Sequence, residues 1–247
     1  MVILRESSIV ITGAGGNLGS ALVEFFQAKV ESVWAIDRDA KSLDKFDYPN
    51  VHPVICDLCS LIDIDRAFSE NEGMSSSNVL VNNAGMIYNE PLINLLNRED
   101  IRHSTEAWHK TIDLNLNALF YVSRAYAGIR VKSRKPGLIV NISSISANGN
   151  IGQSAYSASK AAVEALTKTW SKELGMLKIR TNAVAPGFID TKSTRANLSD
   201  AVIDRYKKSI PLKRLGTTDE YAKTIQFLIE NDYLNGAIIP VDGGMVI

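Results

Sequence analysis

Tyr156 and Lys160 stand four residues apart in the run Tyr156-Ser157-Ala158-Ser159-Lys160. On a helix that spacing puts phenol and ammonium on one face. A nearby cation lowers a phenol's pKa from its usual value of about 10. A phenol tuned in this way can exchange a proton with an alcohol or carbonyl oxygen near neutral pH. The pair alone is common on surface helices, so its company decides. An apolar run leads into Thr12-Gly13-Ala14-Gly15-Gly16-Asn17-Leu18-Gly19. Glycines there let the backbone turn tightly and approach a pyrophosphate. The helix that follows offers unpaired N–H groups and the positive end of its dipole. Asp37 lies 18 residues beyond Gly19. Its carboxylate can accept hydrogen bonds from adenosine ribose hydroxyls and repel a 2′-phosphate, which favours NAD over NADP. Arg38 beside it softens that preference, and capping of the next helix is the plainer role for Asp37.

The elements that must hold these residues follow from the apolar pattern. Ile9–Thr12, Val33–Asp37, Val51–Cys56, Val79–Asn82, Leu138–Ile142, Thr181–Ala185 and Ala237–Val241 read as strands. They are apolar through most of their length, as in a sheet covered on both faces. Leu18–Ala28, Ile62–Ser69, Ala107–Arg130, Ala155–Leu174 and Thr218–Ile229 read as helices between them. Alternation of this kind predicts an α/β fold: one Rossmann-type, doubly wound parallel sheet of about seven strands with helices on both faces. No internal repeat or linker divides residues 1–247, so one dinucleotide-binding and catalytic domain is expected. In such a sheet ligands sit beyond the carboxyl ends of the strands. Asn82-Asn83-Ala84-Gly85, Ser143-Ser144 and Pro186-Gly187 all fall there.

Composition removes other classes. Lys plus Arg is 27 and Asp plus Glu is 27, and 45% of the 247 residues are hydrophobic. This excludes a disordered chain and argues against a nucleic-acid partner. No apolar run reaches the roughly 18 residues of a membrane span. The opening MVILRESSIVITG reads as a first strand entering a turn, not as a leader. Two cysteines suit a reducing, cytoplasmic setting. Cys56-Asp57-Leu58-Cys59 lacks a second ligand pair, and His52, His103 and His109 show no metal spacing, so no metal is expected. The three histidines read as surface or loop residues, and Trp108 and Trp170 as packing residues. Arg130, Lys132, Arg134 and Lys135 before Pro136-Gly137 read as a helix end complementing the dipole.

Taken in order, TGAGGNLG, NNAG, NISS, YSASK, PG-x-x-x-T and the terminal VDGG resemble the short-chain dehydrogenase/reductase family from about Ser8 to Gly244. The resemblance implies an NAD(P)-dependent oxidoreductase that interconverts a secondary alcohol and a ketone. It implies Tyr156 as general acid/base and Lys160 as the group that lowers its pKa and holds the nicotinamide ribose. Ser144 would hydrogen-bond the reacting oxygen, and Asn115 would anchor a water that links Lys160 to solvent. Gly13, Gly15, Asn17, Leu18 and Gly19 would form the cofactor turn. Asp57 and Leu58 would meet the adenine, and Asn83, Ala84 and Gly85 would line the cofactor. Pro186, Gly187, Ile189 and Thr191 would border the nicotinamide end. A homotetramer or homodimer packed through Ala107–Arg130 and Ala155–Leu174 is implied as well.

Three departures carry expectations. Asn17 replaces the usual middle glycine, and Asn tolerates a left-handed backbone better than other non-Gly residues. Ser144 lies 12 residues before Tyr156, one fewer than usual; matching the strand selects Ser144, while counting back from Tyr156 selects Ser143. The stretch from Met86 to Thr105 is several residues longer than usual and either shapes substrate entry or is a neutral excursion. A lid is expected at about 191–211. Its Lys192, Arg195, Arg205, Lys207 and Lys208, with Lys213 and Arg214 beyond, permit an anionic small-molecule substrate, against the plain reading of an exposed amphipathic helix. Hydride transfer to a ketone, with 3-oxoacyl thioesters and sugars among the candidates, is the leading function. The rival is a dinucleotide-binding sensor of the same fold without turnover.

Overall fold

Ile9, Val10 and Ile11 are all fully buried, which requires cover on both faces of the strand that holds them. A computed structural model describes residues 3–197 and 199–246, without the side chains of Lys192, Ser193 and Asn197. The strands are β1 (Ser8–Thr12), β2 (Ser32–Asp37), β3 (Val51–Ile55), β4 (Val79–Asn82), β5 (Gly137–Ile142), β6 (Ile179–Pro186), β7 (Ile189–Asp190), β8 (Gly216–Thr217) and β9 (Ile238–Val241). Seven of them form one parallel sheet in the order β3-β2-β1-β4-β5-β6-β9, and β7 pairs with β8 outside it. The helices are α1 (Asn17–Phe26), α2 (Ala40–Leu43), α3 (Leu61–Glu70), α4 (Glu72–Ser76), α5 (Thr105–Ile112), α6 (Ala118–Lys132), α7 (Ser154–Gly175), α8 (Lys192–Asn197), α9 (Asp200–Ser209) and α10 (Thr218–Glu230).

Alternate side chains of each strand go to opposite faces. Ile9, Ile11, Val79 and Val81 pack with Leu22 and Phe26 of α1 and with Ile225 and Leu228 of α10. Val10, Leu80 and Ile139 pack on the other face with Ile64 and Phe68 of α3 and Val122 and Tyr126 of α6. The doubly wound sheet read from the sequence is therefore present. Strand order reverses between β1 and β4, and a crevice opens at such a point beyond the strand ends.

The expected helix Ala107–Arg130 is present but is not α-helical throughout. It is α5 and α6 joined by one π-helical turn, Asp113–Asn117, with Asn115 at its centre. Such turns insert a residue into the helical ladder and frequently mark functional positions. At the far end of α6, Arg130 is buried. Its Nε and Nη2 donate to the Pro136 carbonyl and its Nη1 to the Ser76 carbonyl, at 2.5 to 3.0 Å. That arginine ties off backbone acceptors, in keeping with the helix-end reading. Trp170 packs with Leu119 and Val163, while Trp108 is partly exposed and sets its ring against His103, centroids 6.4 Å apart.

Candidate active site

Thr12 closes β1 and ties it to the end of β4. Its Oγ1 accepts from the backbone N–H groups of Asn83 and Ala84 at 3.0 and 3.1 Å. Asn83 Nδ2 donates to the Thr12 carbonyl at 3.0 Å, and its Oδ1 accepts from the buried Tyr221 hydroxyl at 3.2 Å. These bonds fix the floor of a cleft of about 950 Å³ at the reversal point. One end is the glycine turn. Gly13 has φ +64°, and a Cβ at Gly19 would lie 2.0 Å from the Gly13 carbonyl oxygen, so neither position admits a side chain without displacing the turn. Asn17 is the first residue of α1 and keeps a negative φ. The left-handed backbone expected of it is not needed, because the turn's positive φ falls on Gly13.

The cleft fits a dinucleotide. Gly16 caps α1 with no side-chain hydrogen bond, so the first-turn N–H groups open on a wall made by Gly16, Asn17, Leu18 and Gly19. That is the donor set a pyrophosphate requires. Asp37, Asp57 and Leu58 border one side of this end, and Asn83, Ala84 and Gly85 another. Gly15 does not line the cleft; its N–H donates to Asp37 Oδ2 at 2.9 Å. Asp37 Oδ1 accepts from the Asp39 N–H at 3.1 Å. The carboxylate is thus oriented by two backbone donors and keeps further lone pairs for hydroxyl groups. Asp39, not Asp37, caps α2.

The other end holds the proton-transfer candidates. Tyr156 and Lys160 stand one turn apart on α7, and both are buried. Ser144 lies beside the Tyr156 hydroxyl and pulls its pKa down, while Ser144 Oγ accepts from the Ser146 N–H at 3.1 Å. Ser143 turns its hydroxyl to Glu164 Oε1 at 2.8 Å. Of the two serines, Ser144 acts on the phenol, while the Ser143 hydroxyl is committed to Glu164. Lys160 Nζ donates to the Ile142 carbonyl at 2.7 Å and lies 5.7 Å from the Tyr156 ring centroid. Pro186, Gly187, Ile189 and Thr191 complete the border.

The expected lowering of the phenol pKa is not found in the protein by itself. Burial pushes Tyr156 upward, and the Ser144 hydroxyl beside it only partly opposes this. Lys160 is buried too, which brings its ammonium down to about 8. The reason is geometric: that ammonium is turned to the Ile142 carbonyl, and desolvation of the phenol dominates.

Asn115 lies behind the cleft wall. Its Oδ1 accepts from the Met86 N–H at 2.8 Å, and its Nδ2 donates to the Met86 carbonyl and to Ser159 Oγ at 2.9 and 3.2 Å. A Cβ on Gly85 would sit 3.2 Å from that Oδ1 and 3.6 Å from Lys160 Nζ. Asn115 therefore holds the strand exit and the catalytic helix at a fixed spacing, and Gly85 leaves room for Lys160.

Several contributors were not singled out from sequence. The Ile142 carbonyl and Ser159 are two; the placement of Ser159 one turn after Ala155 on the same helix was the signal available. Phe188 and Tyr206 stack at 4.0 Å and line the cleft with Met245. Asn89, Asn150 and Gln153 line it opposite.

Other features singled out from the sequence stand as follows. Cys56 is buried with its thiol pushed up to about 11 by desolvation, which makes it a poor nucleophile. No group of three or more metal-ligating side chains occurs among the described residues, nor does a helix long and apolar enough to cross a membrane. His103 was expected on the surface or in a loop; it stands in a loop with its side chain 7% exposed, beside Glu90. Three of the cations in and just beyond the lid segment are paired with carboxylates and do not line the cleft: Arg195 forks onto Asp190, Arg214 onto Glu220, and Lys207 pairs with Asp204. The Lys192 side chain lies outside the described residues.

Comparison with known proteins places this geometry among relatives. The family model described as Enoyl-(Acyl carrier protein) reductase matches residues 13–246. The 3-oxoacyl-[acyl-carrier-protein] reductase FabG of Thermotoga maritima is 36% identical, covering 99% of both chains. A short chain dehydrogenase from Bacillus anthracis has a TM-score of 0.85 at 28% identity, covering 98% of this chain and 97% of the other. A 4-hydroxyisoleucine dehydrogenase complexed with NADH has a TM-score of 0.82 at 29% identity, covering 97% and 98%.

Proposed function

This chain belongs to the short-chain dehydrogenase/reductase family of oxidoreductases, and from that premise we propose that it interconverts 3-oxoacyl and 3-hydroxyacyl thioesters with NAD(H). One observation carries the chemistry: the neighbouring hydroxyls of Ser144 and Tyr156 line the same cleft as an uncapped helix N-terminus at the glycine turn. The enzyme reading is favoured over a silent sensor. The name of the Thermotoga relative supports the substrate class. The Asp37 carboxylate supports NAD(H), because a 2′-phosphate would bring like charge against it.

When bound, a nicotinamide dinucleotide supplies or accepts the hydride. Ser144 and Tyr156 hold the substrate oxygen between two hydroxyl donors, where negative charge grows as the carbonyl is reduced. Tyr156 gives that oxygen its proton in reduction and takes it back in oxidation. Lys160 supplies the buried positive charge that compensates the phenolate left behind. Asn115 keeps the helix bearing both residues in register with the strand exits.

A panel of 3-oxobutanoyl thioester, crotonyl thioester and neutral secondary alcohols, each with NAD(H) and NADP(H), tests the reading. Turnover of the 3-oxo thioester is expected. Reduction of the crotonyl carbon–carbon double bond alone would replace carbonyl chemistry with enoyl chemistry.

Asp37→Ala tests the cofactor assignment separately. The wild-type chain is expected to favour NADH over NADPH by at least about tenfold in kcat/KM, the worth of roughly 1.4 kcal/mol. The variant should bring that ratio close to one. An unchanged ratio would release Asp37 from this role.

A further inference from the structure

Residues 86–105 are joined to the N-terminal end of the catalytic helix. The Glu90 N–H donates to the Gly152 carbonyl at 2.7 Å, and Glu90 bridges Gln153 in parallel register. The Glu90 carboxylate is buried. It accepts from the Ser104 N–H at 2.7 Å, the Tyr88 hydroxyl at 3.1 Å and Asn94 Nδ2 at 3.4 Å. Those donors come from both limbs of the insertion, so one side chain closes its base. The His103 ring stands 3.8 Å away on the same carboxylate. A neutral surface excursion would not bury a carboxylate in this way, because the desolvation must be compensated by its donors.

The consequence lies one residue earlier. Asn89 Oδ1 accepts from Gln153 Nε2 at 2.8 Å, and Gln153 Oε1 accepts from Asn150 Nδ2 at 3.1 Å. The three amides form a chain on the cleft wall, flanked by the apolar Ile87 and Ile151. Gln153 caps α7 three residues before Tyr156, so the chain is close to the reacting end. Asn89 Nδ2 and Asn150 Oδ1 make no hydrogen bond to the protein among the described residues. One is a donor and the other an acceptor, and a secondary amide presents the complementary pair. None of the three side chains bears a charge.

We propose that the insertion is a built wall of the substrate site, and that Asn89, Gln153 and Asn150 bind a secondary amide on the arm of the substrate beyond its thioester. This rests on the thioester reading above. Asn89 is exposed, so Asn89→Ala is expected to fold. Two ketones separate the roles: 3-oxobutanoyl-N-acetylcysteamine, whose arm carries one amide, and ethyl 3-oxobutanoate, which has none. The variant should raise KM for the first about fivefold, the worth of one neutral hydrogen bond. Its kcat should stay within about twofold, and KM for the ester should not move. An equal rise for both ketones, or no rise for either, overturns the proposal. Failure of the thioester reading would be seen separately, as no turnover of either ketone by the wild-type chain, and it would remove the amide chain's role with it.

Discussion

Tyr156→Phe is expected to lower kcat for ketone reduction by about 10³-fold, the middle of the range for loss of a positioned acid. Phe fills the same volume, and the Ser144 hydroxyl keeps its bond from the Ser146 N–H. Stability should therefore change by no more than about 1 kcal/mol, the worth of one neutral hydrogen bond. The glycine turn is untouched, so dinucleotide affinity should persist. Loss of turnover with binding retained is what a proton donor predicts. A fall in binding that matched the fall in rate would assign Tyr156 to the cofactor instead.

The direction of the phenol's shift gives this variant a second signature. Burial holds the Tyr156 proton on the oxygen through and beyond the neutral range. Reduction needs the protonated phenol, so its rate should hold near neutrality and fall as alkali removes the proton. Oxidation needs the phenolate, so its rate should rise over the same interval. The two limbs must oppose each other in the wild-type chain. In Tyr156→Phe that opposition should vanish, leaving two low, flat profiles. Steady-state kcat measured in both directions from neutrality to well above pH 10 reads this directly.

What the sequence could and could not show follows from where the information resides. Runs such as Val79–Asn82 are strands because β-branched and apolar side chains suit a sheet covered on both sides, and local composition carries that. The glycine turn was legible because backbone conformation and close approach restrict residue type locally. The π turn around Asn115 was not. Apolar residues recur through Leu114, Leu116 and Leu119 with no Gly or Pro to break the pattern. The extra residue shows only when Asn115 is seen bonded to Met86 and Ser159, 29 and 44 residues away. The pairing of the basic residues was not legible either, since Arg214 meets Glu220 only because a turn brings the two together. The burial of Glu90 depends on Ser104 and Gly152 meeting it in space, and no periodicity encodes that.

Lys160→Met separates function from stability with opposite signs. The ammonium is buried on the cleft wall with one carbonyl partner, Ile142 at 2.7 Å. Its pKa falls from 10.5 to about 8 because the charged form is desolvated. For a base lowered in this way, the unfolded chain binds the proton between pH 8 and 10.5 while the folded chain does not. Stability therefore rises with pH across that window, and below pH 8 the full cost of the buried charge is present. That displacement corresponds to roughly 3 kcal/mol. Loss of the bond to Ile142 returns roughly 1–2 kcal/mol of it. Methionine fills nearly the same volume, so the variant should gain on the order of 1–2 kcal/mol at pH 7, a rise of a few degrees in Tm. The gain should shrink as pH climbs from 8 toward 10.5. Activity should move the other way, by about 10³-fold, since nothing else beside the phenol compensates the charge left on it. Thermal melts at pH 7 and 10 with parallel kcat measurements decide the matter. A variant that lost stability at pH 7 would make Lys160 a structural residue, and one that kept its rate would remove it from proton transfer.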